Sequence, residues 1–475
     1  AGAAPRACGP AQSPRRTAWG AALGAALAAR GAGGAGAAGG QQCGCSPVAN
    51  VSRVLADLVG LGEFGARASG TGGMERLAFS PEDLAARRWL AEKMSEEAGL
   101  VVRTDGLGST IGSSASTGGG AGAAALLLGS HSDVPAHGRW LDGALGVVYA
   151  LEAARALREA GCPGLWAVVD WSGGSGRSQP SQLLGSAVFA GLLEVEGLPE
   201  LDELRAQRGL LGRPVFRAGD EGVGPFWGYF EAHVERGRRL LDGEVALASA
   251  PSIAGVFQYE LIFSGRHDRV GSTPMALRKD AGIGAMRFAM ALDIRLLNLC
   301  REQATAVWTF GHVRLDPNEA GTVPGGASLT VEIRDVDSEF MELMDDAVRD
   351  VVVKVNGERG VFVRLGSRTV LPVAELSGGL RETLEGTLEG RVPSNWTGLP
   401  AGVVHDASML STAMPTALLL LRDHRVEDTE APEGAPLAVD EEAEREDVAL
   451  GARMYVEAAG AMVAAAAAGE TCAAA

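Results

Sequence analysis

The chain has 475 residues, with 42 Lys and Arg against 59 Asp and Glu, which gives a formal net charge of −17. Its 46% hydrophobic and 21% charged residues exclude an intrinsically disordered chain, and the negative charge excludes a basic nucleic-acid binder. At about 100 to 200 residues per domain, the length indicates two or three domains. The longest candidate apolar runs, 123–129 and 418–421, are far shorter than the ~20 residues of a membrane helix, so we predict a soluble chain without a membrane span.

The first 45 residues differ in composition from the rest of the chain. They contain no Asp or Glu, are rich in Ala and Gly, and carry Arg6, Arg15, Arg16 and Arg30. This composition is typical of an organelle transit segment. A twin-arginine export signal at Arg15-Arg16 and a disordered low-complexity tail are the alternatives. We therefore predict that residues 1–45 lie outside the fold, and that the protein is mitochondrial or plastidic, with the cytoplasm as the other location.

The number and spacing of the cysteines predict neither a disulfide framework nor a zinc site. Six cysteines over this length do not form the disulfide framework of a small secreted domain. Cys43 and Cys45 lie close together, but no second pair of Cys or His completes a zinc site.

The first half of the chain alternates helical and strand patterns. Apolar residues at helical spacing begin at Val51, and Ser80 before Pro81 predicts the start of a second helix that runs to about residue 97. The next predicted elements, in chain order, are strands at 101–103 and 123–128, a helix at 145–160 and a strand at 165–170. Strand, helix and strand in this order predict an α/β sheet with parallel members.

A different order of elements follows. The pattern predicts a strand at 253–263, a helix at 280–297, strands at 306–315 and 328–334, a helix at 339–355 and a strand at 361–365. This is a ferredoxin-like order, and it predicts an inserted α+β domain at about 256–365. A strand at 416–421 and a final helix from residue 441 return to the first domain, which therefore covers 46–255 and 366–475.

Candidate metal ligands follow the apolar strand pattern at 123–128. His131 and Asp133 come directly after it, and Asp142 lies at a predicted helix start. Imidazole nitrogen and carboxylate oxygen are ligands that suit zinc. His233 could supply a further nitrogen, although a single His-x-Asp is weak evidence and a lone histidine is more often structural.

Eight ordered stretches between about residues 48 and 465 point to one family. They are 73–80, 129–135, 138–147, 184–191, 230–237, 271–275, 332–334 and 405–407. In these stretches the sequence resembles the N-carbamoyl-amino-acid hydrolases, the allantoate and ureidoglycolate amidohydrolases and the β-ureidopropionases, which belong to the zinc aminoacylase/carboxypeptidase clan. The resemblance implies a discontinuous zinc-peptidase-like catalytic domain with an inserted ferredoxin-like lid. Relatives dimerise through that lid, so a homodimer is expected.

The resemblance also implies a two-metal hydrolase in which a glutamate activates water. His131, Asp142 and His233 fall on metal-ligand positions, and Asp142 is the carboxylate that bridges the two ions. Asp133 falls on the position of the carboxylate that orients His131. One complete set of three ligands is therefore retained.

The second set of ligands departs from the family pattern. The water-activating glutamate falls on Gly174, so no catalytic base is expected, and a glutamate ligand of the second metal falls on Ser175. The last histidine ligand falls on Asp428, which could still bind metal. We therefore predict one divalent ion, zinc or manganese, and a second that is bound weakly or not at all.

The substrate-binding positions are partly retained. Arg334 resembles the carboxylate-binding arginine of the family, and His405 is also in place. The expected lid histidine falls at Arg269, with His267 two positions upstream and able to swing into that role. A substrate-binding asparagine falls on Gly321.

The resemblance implies an amidohydrolase that acts on linear C–N bonds of small N-carbamoyl or ureido amino acids. Its activity is expected to be reduced or lost, because a positioned general base contributes about 10²- to 10⁴-fold. The alternative is a catalytically inactive pseudoenzyme that serves as a structural or binding subunit of a larger organellar assembly. A third option, a peptidase or aminoacylase, is disfavoured by His233, because those relatives usually place a carboxylate there.

Overall fold

The computed structural model describes residues 45–66, 74–114, 124–138, 141–174, 183–220, 223–300, 305–424 and 442–473. The predicted transit-like segment at 1–45 therefore lies outside the described residues, apart from Cys45. In chain order, the helices are α1 (Val51–Gly62), α2 (Pro81–Glu96), α3 (Asp142–Glu159), α4 (Leu184–Phe189), α5 (Pro199–Gln207), α6 (Arg239–Asp242), α7 (Ala281–Leu299), α8 (Ser338–Val355), α9 (Gly378–Arg391), α10 (Asp406–Leu410) and α11 (Glu442–Ala473). Two short 3₁₀ turns lie at Met275–Leu277 and Glu358–Gly360.

The strands form two principal sheets and three short pairs. In chain order they are β1 (Met74–Arg76), β2 (Val101–Thr104), β3 (Thr110–Ser113), β4 (Ala125–His131), β5 (Val134–Gly138), β6 (Trp166–Trp171), β7 (Phe226–Val234), β8 (Leu247–Ser249), β9 (Ser252–Ile253), β10 (Gly255–Ser264), β11 (Asp268–Arg269), β12 (Val307–Asp316), β13 (Thr322–Val323), β14 (Gly326–Asp335), β15 (Phe362–Leu371), β16 (Ala374–Glu375), β17 (Trp396–Gly398) and β18 (Thr416–Leu421). The short pairs are β1 with β5, β11 with β13, and β9 with β16.

The larger sheet has eight strands in the order β17-β8-β18-β7-β4-β6-β3-β2. Its four central strands, β18, β7, β4 and β6, run parallel to one another. Every residue of β4, β6 and β18 is buried, which explains why these strands are continuous apolar runs rather than alternating ones. The predicted α/β sheet with parallel members is confirmed.

Helices cover both faces of this sheet. On one face α1, α3, α9 and α11 form the larger core with the sheet, and α3 is buried along almost its whole length. A helix that is apolar on all sides is typical of such a central position. The opposite face packs against α4 and α10 through residues such as Phe189 and Leu410.

The C-terminal helix α11 is unusually long and apolar. By length and composition alone, Glu444–Gly469 could cross a membrane, and it is the one such helix in the described part of the chain. Of its most apolar window, 61% is buried against the rest of the protein, including α3 and α9, which is typical of a core helix. Sequence analysis predicts this helix from residue 441 but does not name it as a long apolar run, because its apolar character is spread over many alanines.

The inserted domain has the order β10, α7, β12, β14, α8, β15. Its antiparallel sheet has the order β12-β14-β10-β15, which is the ferredoxin-like topology. Side chains of β14 alternate between buried and partly exposed, because α7 and α8 cover one face of the sheet. The sheet uses residues up to Leu371, so the predicted domain limit at 365 falls inside β15.

Local signals explain where some elements begin. The Ser80 hydroxyl accepts a hydrogen bond from the Asp83 amide, and Pro81 is the first residue of α2, as predicted. Helix α3 begins at Asp142, the residue expected at a helix start, whereas the helical pattern itself is predicted only from residue 145, because Leu141 offers no capping side chain for sequence analysis to detect.

One disulfide joins Cys45 to Cys162, just after α3. It is a single cross-link between cysteines separated by 117 residues, a pairing for which spacing gives no signal. Cys43 lies outside the described residues.

Candidate functional site

The predicted ligands lie at the carboxyl ends of the central parallel strands. His131 is the last residue of β4, His233 lies one residue from the end of β7, and Gly174 follows β6. Because β6, β4 and β7 are neighbours, these ends meet at one edge, which is where open α/β sheets bind ligands. Asp142, the first residue of α3, joins them there.

The two imidazole rings are held in a defined orientation. Nδ1 of His131 lies 3.0 Å from the Asp133 carbonyl oxygen, and Nδ1 of His233 lies 3.0 Å from the Val234 carbonyl oxygen. A carbonyl oxygen accepts only, so each Nδ1 carries the proton and donates. Each Nε2 then keeps a lone pair, which is the state that binds a metal ion.

The two oxygens of the Asp142 carboxylate lie close to different residues. Oδ1 lies 3.1 Å from Nε2 of His233, whereas Oδ2 lies 3.2 Å from Nη1 of Arg236. Oδ1 and Nε2 are close but not aligned for a hydrogen bond, and the buried Oδ1 has no hydrogen-bond partner in the described part of the chain.

Oδ1 of Asp142 and Nε2 of His233 have the chemistry and the spacing of two ligands of one metal ion. Two ligands of a tetrahedral zinc ion with bonds of about 2.0 to 2.1 Å lie about 3.3 Å apart, close to the separation of Oδ1 and Nε2. The His131 and His233 rings are 5.9 Å apart between centroids. Across the described ranges, no group of three His, Cys, Asp or Glu side chains is already gathered around a metal position.

His405 forms the wall of the site beside His233. It is the residue before α10, and its ring meets the His233 ring edge-on with centroids 4.5 Å apart. Burial, followed by the charges of His233 and His131, holds the pKa of His405 well below its ordinary value. His405 is therefore neutral near pH 7, and its buried Nδ1 has no hydrogen-bond partner among the described residues.

The imidazoles of His233 and His131 differ in how readily they accept a proton. Burial lowers the pKa of His233, and this outweighs the attraction of Asp142. Burial acts in the same direction on His131, but the carboxylates of Asp133, Asp406 and Asp142 together raise its pKa. His131 is thus the imidazole that most readily accepts a proton when no metal ion is bound.

Two buried acids lie beneath the rings. Glu231 accepts hydrogen bonds from the Ser130 hydroxyl and the Ala407 amide, at 2.8 and 2.7 Å, and Asp406 accepts one from the Ser186 hydroxyl. Burial raises the pKa of both carboxyls, and repulsion follows it as a cause, from Asp406 at Glu231 and from Asp133 and Asp170 at Asp406. Together they connect β4, β7, α4 and α10 behind the site.

Arg87, which lies on α2, binds several groups on the other side of the site. Its guanidinium donates to the Asp83 carboxylate at 2.8 Å and to the Trp171 carbonyl at 3.0 Å, and lies 3.4 Å from Oδ1 of Asp133. The same Oδ1 accepts the Gly174 amide at 3.0 Å. Asp133 therefore fixes the loop after β6 with its carboxylate, while its backbone carbonyl orients His131.

Gly174 allows the His131 ring to occupy its present place. A Cβ atom on Gly174 would lie well inside van der Waals distance of Cβ, Cγ and Cδ2 of His131. The space that a side chain would need at this position is thus filled by the imidazole. Ser175 and Asp428 lie outside the described residues.

The remaining predicted residues lie in the inserted domain. Arg334 on β14 pairs with Glu332 at 2.7 Å, and His267 accepts the Gly325 amide at 3.2 Å. These partners belong to the same domain, so the structure does not bring Arg334 and His267 together with the His131 group. Arg269 pairs with Thr322 between β11 and β13, one residue after Gly321.

Solved structures share this fold. A crystal structure of an amidase of the hydantoinase/carbamoylase family from Burkholderia phymatum is 32% identical, with a TM-score of 0.70, and the match covers 88% of this chain and 99% of that one. The N-carbamoyl-L-amino-acid amidohydrolase of Paenarthrobacter aurescens is 30% identical over 328 residues, which are 66% of this chain and 76% of that protein. This chain belongs to the hydantoinase/carbamoylase family of amidases.

Plant proteins are also similar to this chain. Allantoate deiminase 2 of Glycine max is 25% identical, over 76% of this chain and 81% of that protein. No family model matches the chain.

Within this amidase fold, sequence analysis misses Arg236, Glu231 and Asp406. Arg236 carries one signal that could have identified it, because it stands three residues after a predicted ligand, His233, on the same strand end. Glu231 and Asp406 each lie within two residues of a predicted site histidine, but their burial is not visible in the sequence.

Proposed function

We propose that this chain is a metal-dependent amidohydrolase that cleaves linear C–N bonds in N-carbamoyl or ureido amino acids, with a turnover limited by the glycine at position 174. The proposal rests on membership of the amidase family and on one geometric observation. Oδ1 of Asp142 and Nε2 of His233 face each other at 3.1 Å without a hydrogen bond. Two buried lone pairs in this position are stabilised by a shared cation.

His131, Asp142 and His233 would hold the ion, whether zinc or manganese. Such an ion acts as a Lewis acid on the carbonyl oxygen of the scissile bond. His131 would complete the ligand set through its Nε2, since its Nδ1 is taken up by the Asp133 carbonyl. His405, neutral and with a free Nδ1, offers one hydrogen bond to the substrate beside the ion.

Gly174 supplies no proton acceptor for the attacking water. The absence of a positioned base is worth about 10²- to 10⁴-fold in rate, so turnover is expected to be slow by that factor. Arg334 and His267 contribute to substrate binding only if the inserted domain closes over the site.

Turnover of a substrate panel tests this function. N-carbamoyl-L-amino acids, allantoate and ureidoglycolate are supplied with zinc, manganese or cobalt, and ammonia or product is measured. We expect slow hydrolysis that His131→Ala abolishes and that His312→Ala, a change at an exposed histidine on β12, leaves unchanged. No turnover by the wild-type chain with any metal would contradict the proposal.

A binding role without hydrolysis is the second candidate, and the filled space at Gly174 favours it. In that case the chain binds a carbamoyl amino acid with the same dependence on His131 but releases no product. Calorimetric titration alongside the turnover assay separates the two functions. Such a pseudoenzyme would serve as a subunit of a larger assembly.

We also propose that the chain forms a homodimer through its inserted domain. Helix α7 exposes Ile283, Met286, Met290, Ile294 and Leu297, which recur every three or four residues and so share one face. The neighbouring strand β12 is an unpaired sheet edge and is largely exposed. An apolar helix face beside an open strand edge is typical of an interface.

A further inference from the structure

Arg236 places a fixed positive charge against the predicted bridging carboxylate. It lies two residues beyond β7, and its side chain is 36% exposed, whereas that of Asp142 is 5% exposed. Nη1 of Arg236 is 3.2 Å from Oδ2 of Asp142. The guanidinium therefore reaches inward from the rim of the site to a buried carboxylate.

The two oxygens of Asp142 are consequently not equivalent. Oδ1 faces His233 and has no hydrogen bond within the described residues, whereas Oδ2 is already neutralised by Arg236. A carboxylate that bridges two metal ions uses one oxygen for each ion. In this chain only Oδ1 is available without breaking an ion pair.

We propose that the Arg236 guanidinium takes the place of a second metal ion beside Asp142, so that the site holds a single divalent ion. This inference rests on the proposed metal-dependent function and specifies its stoichiometry. An arginine remains charged at all physiological pH values, so it balances the carboxylate permanently. It also repels any cation that approaches Oδ2, and it weakens binding of the ion at Oδ1 by the same repulsion.

The same arrangement explains why lost second-site ligands can be tolerated. A bridging carboxylate that loses one of its two cations is left buried with an unbalanced charge, which is costly. Arg236 supplies that balance from the protein itself. The site is therefore a complete single-ion site rather than a damaged two-ion site.

Zinc binding to the wild-type protein and three variants tests this proposal without any substrate. Metal-free wild-type, Arg236→Gln, Arg236→Lys and Arg238→Gln proteins are titrated with zinc in competition with a chromophoric chelator. Bound zinc per chain is then measured by elemental mass spectrometry. Arg238 is the matched control, because it is an exposed arginine two residues away that pairs with Asp242. Circular dichroism and the thermal midpoint verify that each variant is folded.

We expect one zinc ion per wild-type chain and at least tenfold tighter binding of the first ion by Arg236→Gln. Arg236→Lys keeps the charge and should stay within about threefold of wild type, as should Arg238→Gln. Two ions per wild-type chain, or an Arg236→Gln affinity within twofold of wild type, would overturn the proposal.

The outcome is separable from that of the proposed function. If the chain binds one zinc ion with the expected pattern among the variants but hydrolyses no substrate, this inference stands and the proposed function is wrong. If the chain is active and binds two ions, the proposed function stands and this inference is wrong. Zinc binding by neither wild type nor Arg236→Gln would overturn both.

Discussion

The absence of a side chain at Gly174 determines where the His131 ring lies. The ring packs into the space that a Cβ atom would fill, so Gly174→Ala must displace the ring or the loop after β6. We expect a loss of about 1 to 3 kcal/mol in the free energy of unfolding, as for other overpacked buried sites, and weaker zinc binding. Urea denaturation and zinc titration measure the two effects.

Gly386→Ala is the matched control for this substitution. Gly386 lies inside α9, and a Cβ atom added there would meet no other atom within 4 Å, so alanine should stabilise the helix by about 0.5 to 1 kcal/mol. A Gly174→Ala protein as stable as wild type, with unchanged zinc affinity, would show that the His131 ring does not depend on this glycine.

Asp105 provides a pH-dependent test of a buried carboxylate away from the metal ligands. It accepts the amides of Leu107, Ser109 and Phe216, yet burial outweighs these bonds and raises its pKa to about 6. Because the folded-state pKa lies above the unfolded value near 3.9, folding favours the protonated form. Its stabilising contribution is complete below about pH 4 and is lost as the pH rises through about 6.

Comparison with Asp105→Asn isolates that contribution. The variant adds a constant cost, because its amide nitrogen cannot accept a backbone N–H. On top of this offset, the wild-type free energy of unfolding should fall relative to the variant by about 3 kcal/mol between pH 4 and pH 6 and then level off. Urea denaturation at intervals of one pH unit measures the difference. A difference that does not change with pH would contradict the raised pKa.

Sequence analysis indicates which candidate residues share an edge when they follow strand ends, but it does not show contacts that depend on burial. The placement of His131, Asp142 and His233 at one edge follows from the strand pattern and the family resemblance. Arg236 is the clearest omission, because the sequence does not show which oxygen of Asp142 it contacts. That choice is made by side-chain packing, which no spacing rule describes.

At the scale of elements, long periodic segments are predicted well and short or ambiguous ones are not. Helix α8 and strand β18 lie within one residue of their predicted bounds, because each has a single clear period. Strand β7, which carries His233, has no clear period in the sequence, since seven of its nine residues are buried on both sides. The strand is identified only by its parallel neighbours β4 and β18.

The Cys45–Cys162 cross-link is an element-scale feature that stability measurements can test. It joins the segment before α1 to the turn after α3 and closes a loop of 117 residues. Cross-links over such loops stabilise by about 2 to 4 kcal/mol. We therefore expect Cys45→Ser to lower the free energy of unfolding by that amount, and a reductant to lower that of wild type to the same level.

Cys300→Ser is the control for the disulfide, because Cys300 is a free, half-buried cysteine. On addition of a reductant, the free energy of unfolding of the Cys300→Ser protein should fall by the same amount as that of wild type. Peptide mapping that finds Cys45 and Cys162 as free thiols in untreated protein would argue against the cross-link. Since disulfides are rare in the cytosol, a formed cross-link would favour an oxidising compartment.

At the scale of the whole molecule, the inserted domain carries an apolar surface that none of the described residues covers. Met290 lies at the centre of the α7 stripe and is 67% exposed. In a homodimer through this face, a carboxylate at that position would be buried without a partner. Met290→Glu should therefore raise the dimer dissociation constant by at least about 100-fold, which corresponds to about 2.7 kcal/mol.

Light scattering during size-exclusion chromatography measures this shift across micromolar concentrations. Leu343→Glu changes an apolar residue of similar exposure on α8, outside the α7 stripe, and should leave the dimer intact. A wild-type chain that is monomeric at tens of micromolar, or equal dissociation by the two variants, would contradict an interface on this face. If the dimer forms as expected, it pairs the inserted domains and leaves the strand edge that carries His131 and His233 open to substrate in both copies.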